Sequence, residues 1–228
     1  MTRFGVAALS AAALLAGCSD DNKTGPGPTA EVRVVHASPD APAVNVLVDD
    51  KAVLSNVAYK QSSNYLSVAA GTRNIKVNAA AGGATVINAD ASVTEGSSYT
   101  VIATGLLANI EPLVLIDDRT APAAGNIKLR LVHGAPNVAE VDIYITAPGA
   151  DIDAATPALT DVPFQGASAF LEVPAGDYQV RVTPANSKTV ALDTGALTLT
   201  AGQVRTAIAV EAPGGGTPLG ALLLADLN

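Results

Sequence analysis

The sequence predicts an all-β protein: two tandem immunoglobulin-like antiparallel β-sandwich domains after a signal peptide. Three observations carry this. First, β-branched and apolar residues alternate with polar ones at period two, as in Val44-Asn45-Val46-Leu47-Val48, Ile75-Lys76-Val77-Asn78-Ala79 and Tyr178-Gln179-Val180-Arg181-Val182. That is the pattern of half-buried strands. Second, glycine-bearing turns interrupt these runs at short intervals: Ala70-Gly71-Thr72, Ala81-Gly82-Gly83 and Glu95-Gly96-Ser97. Third, one ordered set of segments occurs twice. Arg33–Asp40 (RVVHASPD) answers to Arg130–Asn137 (RLVHGAPN), and Val44-Asn45-Val46 to Val141-Asp142-Ile143, both at an offset of 97 positions. Tyr65–Val68 answers to Phe170–Val173, and Ala70-Gly71 to Ala175-Gly176, at an offset of 105. A repeat this long is a domain pair, because solenoid units run to about 20–50 residues.

The chain begins with a targeting pattern over 1–17. Arg3 supplies a positive start, and Phe4 to Ala16 is apolar and uncharged. That run is too short to cross a hydrocarbon core of about 30 Å as a helix and fits a signal peptide. Leu15-Ala16-Gly17-Cys18 follows, and this resembles the lipobox of bacterial lipoproteins. The resemblance implies cleavage before Cys18 and lipid on its thiol, the side chain whose thiolate is nucleophilic near neutral pH. Two or three acyl chains anchor a protein durably where one does not. Cys18 is the single cysteine, so the mature chain forms no internal disulfide and each domain must be held by burial. Residues 18–30 continue as a Ser-, Asp-, Gly- and Pro-rich tether.

Domain one is assigned to 31–118, a Pro/Gly/Ala linker to 119–125 and domain two to 126–228, with about seven strands in each copy. Pro112-Leu113-Val114-Leu115-Ile116 reads as a closing strand buried on both faces. In the opening motif Val32, Val34 and His36 share the core face, as do Leu129, Leu131 and His133. Arg33 and Arg130 point the other way. The step from 97 to 105 places an eight-residue insertion within Ala147–Asp161 (APGADIDAATPALTD). Loops on a rigid sandwich are where binding residues concentrate, so Asp151, Asp153 and Asp161 mark a candidate binding loop.

The VRVVHASPDAP opening (Val32–Pro42), the LxVPAGxYxVRVTPA segment (Leu171–Ala185) and the closing PLGALLLAD (Pro218–Asp226) resemble domain-of-unknown-function family 4397 (DUF 4397) of bacterial envelope proteins, here in two copies. The first copy departs from the pattern with Ala69 where the second has Pro174, and Arg73 where it has Tyr178. The resemblance implies an immunoglobulin-like fold and secretion. It implies no activity and no catalytic residues.

Chemistry-bearing residues are few. His36 with Pro39, and His133 with Pro136, end an apolar row just before a turn. Their simplest role is to close the sandwich end, with a ring nitrogen bonding a turn carbonyl. A metal would need several convergent ligands, whereas each domain offers one His and no Cys. Ser38 and Asp40 lie too close in sequence to His36 to build a triad, and no G-x-S-x-G elbow is present. Asp151 and Asp153 have a D-x-D spacing used by calcium loops, without the remaining ligands of an EF-hand. They are weak metal candidates, and no cofactor beyond the covalent lipid is expected.

Charge bounds the partners. The full chain carries −8, and without Arg3 it retains 12 basic against 21 acidic residues, a net of −9. That disfavours nucleic acid and anionic headgroups. Trp is absent, and Tyr144, on the outward face beside Asp142, is one candidate for a surface contact, with plain sheet decoration as the equal alternative. The sequence thus suggests a lipid-anchored cell-envelope module without catalysis, facing periplasm or cell exterior. Its partner would be an envelope protein or polysaccharide. Ser19 after the lipidated cysteine favours the outer membrane in a Gram-negative host. The alternatives are an envelope hydrolase with carboxylates at the domain junction (Asp117, Asp118 and the 147–161 loop) and a calcium-dependent adhesion protein.

Overall fold

The computed structural model describes residues 27–227. The signal peptide, Cys18 and the tether up to residue 26 lie outside the described residues. Strands β1 (Thr29–His36), β2 (Val44–Val48), β3 (Lys51–Val57), β4 (Leu66–Ala69), β5 (Gly71–Ala79), β6 (Thr85–Val93), β7 (Ser98–Thr104) and β8 (Glu111–Asp117) form two sheets. Their orders are β4-β1-β7-β8 and β3-β2-β5-β6. Strands β9 (Asn126–His133), β10 (Val141–Thr146), β11 (Leu159–Val162), β12 (Leu171–Pro174), β13 (Gly176–Pro184), β14 (Leu192–Leu199), β15 (Val204–Val210) and β16 (Gly220–Leu227) repeat the plan as β12-β9-β15-β16 and β11-β10-β13-β14. Each copy therefore has eight strands rather than about seven. The sheets are also not wholly antiparallel: β1 runs parallel to β7, and β9 to β15. The last two residues assigned to the tether, Thr29 and Ala30, open β1 and pair with Ala69 and Val68.

Each sandwich encloses its own core, with Val32, Val34, Val46, Val77 and Val101 in the first and Leu129, Leu131, Ile143, Val180 and Val182 in the second. A third core lies between the sandwiches. Val35 and Ile102 from the first half pack with Val132, Ile208 and Leu224 from the second, flanked by Leu113, Leu115 and Leu222. Sheets β4-β1-β7-β8 and β12-β9-β15-β16 therefore use both faces, one for their own sandwich and one for the partner sandwich. The two halves are fused back to back.

This fusion corrects the reading of β8 as buried on both faces. Leu113 and Leu115 enter the shared core, whereas Val114 and Ile116, on the other face, are 45% and 72% exposed. The opposing sheet does not extend over them. Arg119, the first residue of the 119–125 linker, is tied to both halves. Arg119 Nε donates to Asp226 O at 2.9 Å, its guanidinium stacks on Tyr65 at 4.2 Å and it ion-pairs with Glu31.

Candidate functional site

The shared interface concentrates the buried charge, and it does so twice. Arg33 on β1 ion-pairs with Asp226 on β16 of the other half, while Arg130 on β9 ion-pairs with Asp117 on β8. All four side chains are buried. Arg33 also donates to Ala225 O (2.9 Å) and through Nη2 to Thr100 Oγ1 (2.7 Å). Arg130 donates to Ile116 O (3.0 Å) and through Nε to Thr206 Oγ1 (3.1 Å). The Thr100 hydroxyl donates to Asp117 Oδ2 at 2.6 Å, and the Thr206 hydroxyl to Asp226 Oδ2 at 2.7 Å. Arg33 lies over the Tyr65 ring at 4.7 Å, and Arg130 over Phe170 at 4.6 Å. Each half thus gives its first-strand arginine to the other half's last-strand aspartate, as a two-fold exchange between duplicated units would. Buried ions are tolerable only when paired and hydrogen-bonded in this way. Sequence reasoning placed both arginines off the core face but did not find their partners. The signal was available as an arginine inside an apolar strand and an aspartate closing a leucine-rich one, in both copies.

The histidines are turn clamps in this geometry. His36 Nδ1 accepts the Ser38 N–H (3.3 Å), which places the proton on Nε2, and Nε2–H donates to Pro42 O at 3.0 Å. In the second half His133 Nδ1 accepts from Ala135 N (3.4 Å), and Nε2–H donates to Ala139 O at 3.0 Å. Tyr59 and Phe164 meet the two rings edge-on at 6.0 and 6.3 Å. Both nitrogens of each ring are occupied. Pro39 lies in the first of these turns, and its carbonyl accepts from Gly214 N of the other half at 2.7 Å. Pro136 occupies the matching place in the second turn.

Burial lowers the pKa of both histidines, and the carbonyl bonds oppose this only in part. The unfolded chain takes up protons as pH falls through about 6.5, while the folded imidazoles resist until lower pH. Stability is therefore full above pH 6.5 and declines as pH falls below it. The melting temperature is expected to drop between pH 7.5 and 5, and His36→Gln with His133→Gln, itself less stable, to flatten that slope. A slope unchanged in the double variant would contradict the assignment. Asp118 titrates far below this window. Hydrogen bonds from Lys128 and Thr120 pull it down to about 2.

The carboxylates proposed for a junction hydrolase do not assemble. Asp117 is consumed by Arg130, Thr100 and Tyr65, and Asp118 by Lys128 and Thr120. The 147–161 loop is held instead on the far sheet of the second sandwich. There Gly149 N donates to Gln179 Oε1 at 2.7 Å, and Lys188 Nζ donates to the carbonyls of Ile152 and Ala155 at 2.7 Å each. The calcium reading meets the same obstacle, since the Lys188 ammonium already takes the Ile152 and Ala155 carbonyls of that loop. Asp151 Oδ1 accepts only the Asp153 N–H, Asp161 N donates to Asp142, and no three His, Cys, Asp or Glu converge as metal ligands among the described residues. Tyr144, expected at the surface, is only 2% exposed, with Lys188 Nζ 4.7 Å from its ring centre. The duplication could not show this, because Lys188 is held there by the carbonyls of an insertion that the first copy lacks.

The sequence profile of the family described as "Domain of unknown function (DUF4397)" matches residues 30–144 and 145–228. Its division falls inside β10, whereas strand pairing separates the halves between residues 117 and 126. No curated protein sequence matches the chain. Among solved structures, a family 26 carbohydrate-binding module of Eubacterium rectale Amy13K, determined with maltoheptaose, is 6% identical, with a TM-score of 0.28 over 85% of this chain and 95% of that one. A streptococcal α-glucan-binding virulence factor is 13% identical, with a TM-score of 0.26 over 74% and 87%. A candidate adhesin of Bacteroides ovatus is 13% identical, with a TM-score of 0.25 over 87% and 95%. Likenesses this low carry no argument about ligand or activity.

Proposed function

Since the chain belongs to the DUF4397 family, whose description names no activity, we propose that it is a non-catalytic binding and structural module of the bacterial cell envelope. Lipid on Cys18 would anchor it, and residues 19–28 would space the folded part from the membrane, facing periplasm or cell exterior. The observation that carries this reading is the duplicated Arg–Asp–Thr exchange. It commits four buried charged side chains to holding two sandwiches as one stiff body. A stiff body presents the remaining sheet faces and loops at fixed spacing. That suits recognition of an envelope protein or polysaccharide and gives a partner little conformational entropy to overcome.

The test uses the full-length chain in bacteria fed an alkyne fatty acid. Wild type is expected to take up label and fractionate with membranes, and Cys18→Ser to lose both. The released Cys18→Ser protein should still co-sediment with isolated envelopes through its folded part. Equal labelling of the two would overturn the anchor. Failure of the released protein to bind envelopes would overturn the binding role.

A further inference from the structure

The outer sheet faces of the two halves differ at one cation. In the first half Lys76 stands cross-strand from Leu47, and its ammonium pairs with Asp50 in the tight turn after β2. In the second half Arg181 holds the equivalent place, cross-strand from Tyr144. There the turn is replaced by 147–158, and Ala147 stands where Asp50 would. Arg181 is only 7% exposed, yet none of the ion pairs among the described residues includes it. Its Nη2 donates to Thr146 Oγ1 at 3.0 Å, but its Nε is buried without a partner, as is Thr183 Oγ1 on the same strand.

The two carboxylates of this face are already engaged. Asp142 accepts from Asp161 N and Asn186 N, and Asp193 from the Gln179 amide and Gly195 N. Asp193 is the direct cross-strand neighbour of Arg181 and feels its charge, yet the two make no ion pair, so the buried guanidinium keeps a fork shaped to take a carboxylate in bidentate fashion. Beside it, Lys188 joins the Tyr144 ring to the carbonyls of 152 and 155, and with the Gly149–Gln179 bond it ties the insertion to this sheet.

We propose that Arg181, Thr183 and Tyr144 form a binding site for a carboxylate-bearing sugar, a hexuronate unit of an acidic glycan, with residues 147–158 as its lid. This rests on the envelope-binding role above and adds the ligand class. The sugar carboxylate takes the free Nε edge of Arg181, Thr183 Oγ1 bonds a ring hydroxyl, and the Tyr144 face, once Lys188 withdraws, stacks on the sugar ring.

The full chain in detergent is titrated calorimetrically with trigalacturonate and with its methyl ester. The acid is expected to bind at least tenfold more tightly than the ester. Arg181→Gln should lose at least tenfold, with Arg181→Lys between, because lysine keeps the charge without the fork. Lys188→Ala, lacking the latch, should bind the acid severalfold more tightly than wild type, and amide exchange over 147–158 should quicken when the acid binds. Equal binding of acid and ester, or full binding by a folded Arg181→Gln, would overturn this site while leaving glycan binding standing. No binding by either wild type or Lys188→Ala would overturn the ligand class, and envelope co-sedimentation of the released protein then decides the broader role independently.

Discussion

Asp226→Ala is expected to lower the unfolding free energy by about 3–5 kcal/mol, the cost of stranding a buried charge. The substitution leaves Arg33 with Thr100 and the Ala225 carbonyl but no anion, and it removes the acceptor of the Thr206 hydroxyl. A domain has about 5–15 kcal/mol in all, so this is a large fraction. The double variant Arg33→Met with Asp226→Leu should recover most of the loss, since two apolar groups of like volume need no desolvation of charge. A urea-denaturation cycle over the four proteins measures the coupling. A single-variant loss below about 1 kcal/mol, the range of exposed pairs, would contradict the buried exchange.

Ile208→Ala is expected to cost about 2–5 kcal/mol. Ile208 is fully buried in the shared core with Val132 and Leu224 of its own half and Val35 and Ile102 of the other. Packing there is close enough to explain one difference between the repeats. A Cβ on Gly134 would come within 2.9 Å of Ile208 Cγ2, and the first copy has Ala37 at that place. Ile116→Ala provides the contrast. Its side chain is open to solvent, and the change should stay within about 0.5 kcal/mol. Thermal melts of both variants check this, and comparable losses from the two would contradict the placement of the shared core.

These two isoleucines show what the sequence could and could not reveal. Period-two alternation and the offsets of 97 and 105 made the strands, the duplication and the insertion legible, because side-chain direction in a strand is fixed by backbone geometry. Alternation says which residues share a face but not what covers it. Leu113 and Ile116 look alike in the sequence, and only the back-to-back packing makes one buried and the other exposed. Arg33 and Arg130 were placed off the core face for the right reason. Their destination was hidden because their partners are 193 and 13 positions away, in the other half. The turn role of His36 and His133 was legible because both acceptors lie within six residues of the ring. Tyr144 was misplaced because alternation does not say what covers a face, and here Lys188, which also bonds the insertion, lies over its ring.

The central claim is that two duplicated sandwiches work as one stiff body through a shared core and crossed ion pairs. Differential scanning calorimetry of the protein at pH 7.5 tests it most directly. A fused body should unfold in a single transition whose calorimetric enthalpy equals the van't Hoff enthalpy. Two resolved transitions, or a calorimetric enthalpy near twice the van't Hoff value, would mean that the halves unfold independently, and would contradict the account.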